Sequence, residues 1–253
     1  MRQYTFQQPR MMLQMPRITW AVQRLILLNA AVFAVQLAFR PFETWLMLRY
    51  GLPNATLLHW LGFHPGLLFL GRVWTPITYQ FLHGGLMHLF MNMLWLFVFG
   101  PEVERLLGSR QFIRFYLACG ALGVLATMGP YILSGEYATV IGASGAAMGV
   151  LAAFAMIDPE RQFFLFPLPV PITATWLVVL VVLFNLIALR AGDSNTSVAT
   201  HFGGMAAGYV LMKTIPLYHH WKRAREGRRP DERRDEEKIG DVVDNIFKFK
   251  DDL

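Results

Sequence analysis

From Gln162 to Leu189 the chain carries no Asp, Glu, Lys or Arg, and the same holds from Phe115 to Gly135 and from Tyr137 to Ile157. A helix needs about 20 apolar residues to cross the hydrocarbon core of a bilayer, so each interval is long enough for a crossing. The charge deficit extends to the whole chain. Only 16% of its residues are charged and 55% are hydrophobic, against about 25% charged in an ordinary soluble domain. A large water-soluble core is thereby excluded, and an all-α polytopic membrane protein is the expected fold class.

The hydrophobic pattern divides into six spans, at about 19–39, 82–99, 115–133, 142–157, 173–189 and 198–215. Residues 41–80 are the ambiguous part. The stretch from Tyr50 to Gly71 is apolar enough to tempt a seventh assignment, yet it holds Pro53, Asn54, His59, His64 and Pro65. Backbone broken by proline has no water to satisfy it in lipid, so this segment is read as an interfacial, partly helical loop. Trp45, Trp60, Trp74 and Tyr79 suit the headgroup level. The organisation is therefore an N-terminal arm (1–17), a six-helix transmembrane domain (18–216) with the interfacial loop, and a charged tail (217–253). Val242, Val243, Ile246 and Phe247 in the tail fit a short amphipathic helix, although a solvated tail is the plainer reading.

The formal charge of +6 is explained by topology rather than by nucleic acid. Arg2, Arg10, Arg17, Arg105, Arg110, Arg114, Arg161, Lys213 and Lys222 fall on the side of the termini, whereas the opposite loops offer chiefly Arg49, Arg72 and Arg190. The positive-inside rule then expects both termini in the cytoplasm of a multi-pass inner (plasma) membrane protein. The segment Leu25 to Phe39 is expected to be a retained first span rather than a cleaved signal. The lone Cys119 sits in an apolar stretch and reads as a packed, inert thiol.

In a bilayer the informative side chains are those that are expensive to place. His83, His88 and Asn92 fall in the first half of span two, Ser144 at the start of span four and His201 at the start of span six, all at the outer depth by the alternating topology. Ser144 lies in Gly142-Ala143-Ser144-Gly145. Alone, this motif reads as close packing; it lacks the strand and second glycine of the soluble-hydrolase elbow. Gly204 and Gly208, four apart, strip one face of span six, and His201 lies three residues before Gly204 on nearly the same face. A histidine there has a close neighbour, and Ser144 on glycine-rich span four is the natural one, giving a hydroxyl whose proton imidazole can accept. His88 and Asn92 share a face of span two and offer uncharged donors of the kind a developing oxyanion needs; an interhelical clamp is the structural alternative. Asparagine is a poor zinc ligand and no carboxylate accompanies the pair, so neither metal nor cofactor is expected.

These residues together resemble the rhomboid family of intramembrane serine proteases. The likeness rests on His83-Gly84-Gly85-Leu86-Met87-His88 continuing to Asn92-Met93, on Gly142-Ala143-Ser144-Gly145, and on His201 followed by Gly204 and Gly208, and it covers about residues 18 to 216. The resemblance implies Ser144 as nucleophile and His201 as general base, an oxyanion hole lined by His88, Asn92 and the backbone N–H of Ser144, and His83, Gly142, Gly145, Gly204 and Gly208 in support. It also implies serine endopeptidase activity on membrane-anchored proteins whose transmembrane helices unwind easily, entering past span five.

Two positions depart from the family pattern. Trp74 falls on the tryptophan of a tryptophan-arginine pair in the first loop, but Thr75 stands where the arginine is expected, leaving nearby Arg72 to compensate. Met148 replaces an aromatic ring that some members stack under the histidine, so orientation of His201 is expected to rest on methionine packing. Asp193 is a formal candidate for a third triad member, but a solvated loop carboxylate is the plainer account. A transporter would want broken helices at the midplane and a repeated half. A non-catalytic adaptor has no chemical reason to keep Ser144 and His201 together.

Overall fold

A computed structural model describes residues 17–52, 56–135, 138–164, 171–191 and 198–225. The helices are α1 (Trp20–Tyr50), the short α2 (Leu57–Leu61), α3 (Pro65–Phe69) and α4 (Thr75–Thr78), then α5 (Leu86–Leu107), α6 (Ser109–Leu125), α7 (Met128–Ser134), α8 (Ser144–Ile157), α9 (Ala174–Ala191) and α10 (Val198–Arg225). Trp20–Tyr50, Leu86–Leu107 and Ser109–Leu133 are long and apolar enough to cross a membrane, and Ser144–Ile157 and Ala174–Arg190 are shorter apolar helices. Their outward side chains are apolar: Leu86 is 73% exposed, Leu133 89% and Phe184 68%. Such a surface is an aggregation hazard in water and the expected one in lipid.

The expected boundaries shift in several places. Helix α1 does not stop at Pro41 but runs through it to Tyr50, ending at Gly51, whose φ of 63° and N–H bond to the Met47 carbonyl form a left-handed cap. Helix α5 likewise continues through Gly100 and Pro101 to Leu107, and begins only at Leu86, so His83 lies in the segment before it rather than within it. The third predicted span breaks between α6 and α7. There the Thr127 hydroxyl donates to the Val124 carbonyl at 2.6 Å. Beyond Tyr50, the described part of the 41–80 segment holds only helices of four or five residues and a 3₁₀ turn at Tyr79–Phe81. The all-α expectation gains one addition, a two-stranded antiparallel ladder pairing β1 (Gln162–Phe164) with β2 (Pro171–Thr173). Asp193, most of the connection 190–196, the arm before Arg17 and the tail beyond Arg225 lie outside the described residues.

Three devices hold the bundle in register. The first joins α1 to the far end of α5. The Glu104 carboxylate accepts from the N–H groups of Ala21 and Val22, each at 2.9 Å, from the Ser109 hydroxyl at 2.6 Å and from the Thr19 hydroxyl. Helix starts leave orphan N–H groups with partial positive charge, and a carboxylate answers both needs. Glu104 is nevertheless buried, which is tolerable because its oxygens are fully bonded.

The second device is close backbone approach. A Cβ on Gly208 would lie 2.7 Å from the Gly149 Cα, and one on Gly204 would lie 3.1 Å from the Gly145 Cα. The face expected from Gly204 and Gly208 therefore meets a matching pair on α8. On its other side α10 meets α6, where a Cβ on Gly123 would fall 2.9 Å from the Gly204 nitrogen. In lipid, where helices gain little from apolar burial against each other, contact at this range is the main source of attraction.

The third device ties the first loop to the chain entering α8. Phe63 and Val140 exchange backbone hydrogen bonds of 3.0 and 2.7 Å, and the Gly142 N–H donates to the Tyr79 carbonyl at 2.9 Å. The buried Tyr79 hydroxyl donates to the Gly120 carbonyl at 2.7 Å. Arg72 takes up the anchoring left open by Thr75. Its guanidinium lies 4.6 Å over Trp60 and donates to the His59 carbonyl at 2.5 Å and to His59 Nε2 at 2.9 Å, while the Trp74 indole donates to the Trp60 carbonyl at 3.0 Å.

Glu104→Ala strands four donors at once and should lower stability by at least about 1.5–3 kcal/mol, the scale of one charge-assisted hydrogen bond, read as an earlier thermal transition in detergent. Gly208→Val should do worse, because its side chain meets backbone that cannot rotate away, and Gly129→Ala, with open space around it and no left-handed backbone, serves as the mild comparison. Burial of the ring, then Arg72 and then His64, hold the His59 pKa below its ordinary 6.5. The unfolded loop therefore binds the proton more readily, so the loop's stability is full above pH 6.5 and declines as pH falls below it. The protection factors of amides across 59–62, with exchange normalised to the intrinsic rate at each pH, should fall on acidification through that range, and His59→Gln should remove that fall.

Candidate active site

Helix α8 has 14 residues, about 21 Å at 1.5 Å per residue, short of the ~30 Å hydrocarbon core. Its first residue is Ser144, so this side chain opens a helix too short to reach both surfaces of a bilayer. The chain reaches Ser144 through Gly142, whose φ of 114° is a backbone conformation that residues with a Cβ rarely adopt. Space dictates glycine as well, since a Cβ there would sit 2.6 Å from His88 Nε2.

His201 stands in the first turn of α10. The glycine contacts between α8 and α10 bring its Nε2 to 2.9 Å from the Ser144 Oγ. Its other ring nitrogen, Nδ1, lies 2.7 Å from the Oδ1 of Asn185 on α9. Asn185 is a residue that the sequence reading passed over, and its signal was available: it is the only side-chain amide in an otherwise apolar span, where an unpartnered amide is costly. The directional contact on the His201 ring comes from this amide rather than from Met148, which is buried in the main apolar core.

His88 and Asn92 approach from α5. Asn92 is buried, and its Nδ2 has no hydrogen-bond partner among the described residues. The same nitrogen lies 3.6 Å from where a Cβ on Gly142 would be, so an unused donor faces the backbone just before Ser144. A buried donor left unpaired costs about 1–3 kcal/mol, a charge that functional sites bear more often than structural ones. His88 Nδ1 accepts from the Gly84 N–H at 3.4 Å. An accepting Nδ1 leaves the ring proton on Nε2, the nitrogen that faces Gly142. The His83 ring lies edge-on to His88 at 5.1 Å. Its backbone is fixed from α1, where Gln36 Oε1 accepts from the His83 N–H at 3.0 Å and Gln36 Nε2 donates to its carbonyl at 3.3 Å. Gln36, a polar residue within the first span, is a second position that the sequence reading did not single out.

Ser144, His201, His88, Asn92, His83, Gly142, Gly145, Gly204 and Gly208, scattered over more than a hundred residues of sequence, thus meet in one region. That region offers a hydroxyl hydrogen-bonded to imidazole, with uncharged N–H donors alongside. Such a set can transfer a proton from an attacking hydroxyl and hold a developing oxyanion without burying a full charge.

The Rhomboid domain family model matches residues 70–217, more than half of the chain. The chain is 28% identical over 170 residues to "Putative rhomboid protease YdcA" of Bacillus subtilis, covering 66% of this chain and 80% of that protein. It is 32% identical over 148 residues to "Rhomboid protease GluP" of the same organism, covering 58% and 27%. With "RHOMBOID-like protein 12, mitochondrial" of Arabidopsis thaliana it shares 29% identity over 174 residues, covering 62% and 48%. The chain thus spans about half or less of two of these relatives and most of the third. A helical bundle with lipid-type surfaces and a match over this extent lead to one conclusion: the chain is a polytopic helical membrane protein that belongs to the rhomboid family.

Proposed function

We propose that this chain is an intramembrane serine endopeptidase, hydrolysing peptide bonds in or near transmembrane segments of membrane-anchored proteins through a Ser144–His201 dyad. The observation that carries this reading is the 2.9 Å hydrogen bond between Ser144 Oγ and His201 Nε2 inside a lipid-facing bundle. Ser144 Oγ attacks the scissile carbonyl carbon while His201 Nε2 takes its proton, giving a tetrahedral intermediate. Asn92 Nδ2, His88 Nε2 and the Ser144 N–H stabilise the oxyanion, the last reinforced by the start of α8. Collapse expels the amine, which receives the proton from His201 and leaves an acyl ester on Ser144. Water, deprotonated by His201, then attacks the ester, and collapse of the second tetrahedral intermediate releases the acid as His201 returns the proton to Ser144 Oγ.

The reaction needs an extended substrate backbone, because a helical segment keeps its amides in its own hydrogen-bond ladder. Substrates with helix-destabilising residues in the upper part of a single span are therefore the favoured class, and His83 with the glycines at 142, 145, 204 and 208 keeps the site's walls in place. Two of the relatives carry the word protease in their names, which supports the reaction class. The bias of Lys and Arg toward the side of the termini supports both ends lying in the cytoplasm of a bacterial-type inner membrane. The word mitochondrial in the Arabidopsis protein's name belongs to that protein.

Purified protein in liposomes should cleave a single-span reporter with glycine in its upper helix at one position near the extracytoplasmic end. Ser144→Ala and His201→Ala should each abolish cleavage while leaving the folded protein intact. Persisting cleavage in Ser144→Ala would show the nucleophile to be another residue, whereas binding of varied reporters without any cleavage would favour an adaptor. Asn92→Ala should lower kcat by about 10²–10³-fold, the usual effect of removing one oxyanion donor.

A further inference from the structure

Asn185 is the unexpected member of the site. It sits on α9, whose neighbouring side chains face outward: Phe184 is 68% exposed and Ile187 63%, whereas Asn185 is 8% exposed. An amide that only needed a partner in the apolar surroundings already has one, because Asn185 Nδ2 donates to the Val181 carbonyl, one turn earlier, at 2.8 Å. That bond fixes which way the amide lies, since the reverse orientation would set Oδ1 against the carbonyl oxygen of Val181. The remaining end, Oδ1, is therefore an acceptor, and at 2.7 Å it faces His201 Nδ1.

An acceptor at Nδ1 decides the tautomer. The ring proton must sit on Nδ1 to make this bond, which leaves the lone pair on Nε2, the nitrogen that meets the Ser144 hydroxyl. Without it, imidazole is free to hold its proton on Nε2, where it would donate to Ser144 instead of accepting from it and could not act as base. Two hydrogen bonds on opposite ring nitrogens also fix the plane of the ring, a constraint that packing against Met148 cannot supply because thioether contacts are soft and weakly directional. The dyad residues come from α8 and α10, so this acceptor makes the geometry of the base depend on a third helix.

We propose that Asn185 is a positioning residue that completes a Ser144–His201–Asn185 relay, holding His201 in the Nδ1–H tautomer and setting the plane of its ring. This rests on the serine-protease reading given above for the reaction, but the bond itself does not. The amide is neutral, so it orients the imidazole and accepts from it without placing a second charge in the apolar interior.

The test uses full-length protein in liposomes and detergent with three variants. Asn185→Leu removes the acceptor at similar volume; Asn185→Asp keeps an acceptor oxygen; Phe184→Leu is a neighbouring, outward-facing control. The expected result is a fall of about 10²-fold in kcat for Asn185→Leu with KM little changed, the scale of a misplaced catalytic group. Recovery of most of that rate is expected in Asn185→Asp, and near-normal cleavage in Phe184→Leu. Histidine-selective ¹⁵N spectra, with the His201 signals identified by their loss in His201→Ala, should show the proton on Nδ1 in the intact protein and in Ser144→Ala, and mixed tautomers in Asn185→Leu. Normal kcat in folded Asn185→Leu would overturn the proposal, as would equal losses in the Leu and Asp variants with the tautomer unchanged. A His201 proton on Nε2 in the intact protein would overturn it too. Should Asn185→Leu fail to fold, the intact spectrum and the Asp variant decide alone. Because the tautomer is read in the inactive Ser144→Ala protein as well, failure of the protease reading would not be mistaken for failure of the relay.

Discussion

The site exists because α8 and α10 touch backbone to backbone. Gly145 and Gly149 on one helix face Gly204 and Gly208 on the other, and no side chain separates them. Side chains on these glycines would collide with backbone of the facing helix and push the two helices apart, moving the Ser144 hydroxyl away from the imidazole in the first turn of α10. The small residues therefore supply more than packing attraction. They set the spacing at which the Ser144 hydroxyl meets the His201 ring, and the third contact of α10, with Gly123 on α6, keeps α10 from sliding out of that register.

Buried polar groups in this protein fall into two classes that the same physical rule separates. Glu104, Gln36 and Tyr79 are fully engaged, and each joins elements far apart in sequence: α5 to the start of α1, α1 to the segment before α5, and the first loop to α6. Asn92 is different, since its Nδ2 is buried beside the approach to Ser144 with no partner among the described residues, a status it shares with the His83 ring nitrogens and the Tyr116 hydroxyl. Where lipid makes every unsatisfied donor expensive, the satisfied groups act as girders between distant elements. The first loop belongs with the girders. Arg72, stacked on Trp60 and bonded to His59, holds that loop although the expected arginine at position 75 is a threonine.

Much of this was legible in the one-dimensional pattern. The uncharged runs exposed the membrane class, and the polar residues that lipid disfavours picked out His83, His88, Asn92, Ser144 and His201 before any geometry was known. The helix boundaries were less legible because proline was weighed as a terminator, whereas Pro41 and Pro101 sit inside α1 and α5. A missing N–H removes one bond from the ladder, and the helices' remaining bonds and their packing carry them through. His83 was placed on a helix by spacing alone, but the Gln36 amide holds its backbone in a segment that precedes α5. Asn185 stands out as a lone amide in an apolar run, but its partner on another helix has no periodic relation to it in the sequence, so its role is not legible there.

The sequence by itself determined what the chain can dissolve in and which side chains are too costly to lie there without purpose, because hydropathy and charge are additive properties of residues. Only the tertiary structure decided which of those side chains meet. Hydrogen bonds are directional and short, so the pairing of His201 with both Ser144 and Asn185 depends on the relative placement of three helices to within a fraction of an ångström. No local pattern encodes that placement, which follows from glycine contacts, a buried carboxylate and loop anchors distributed along the whole bundle.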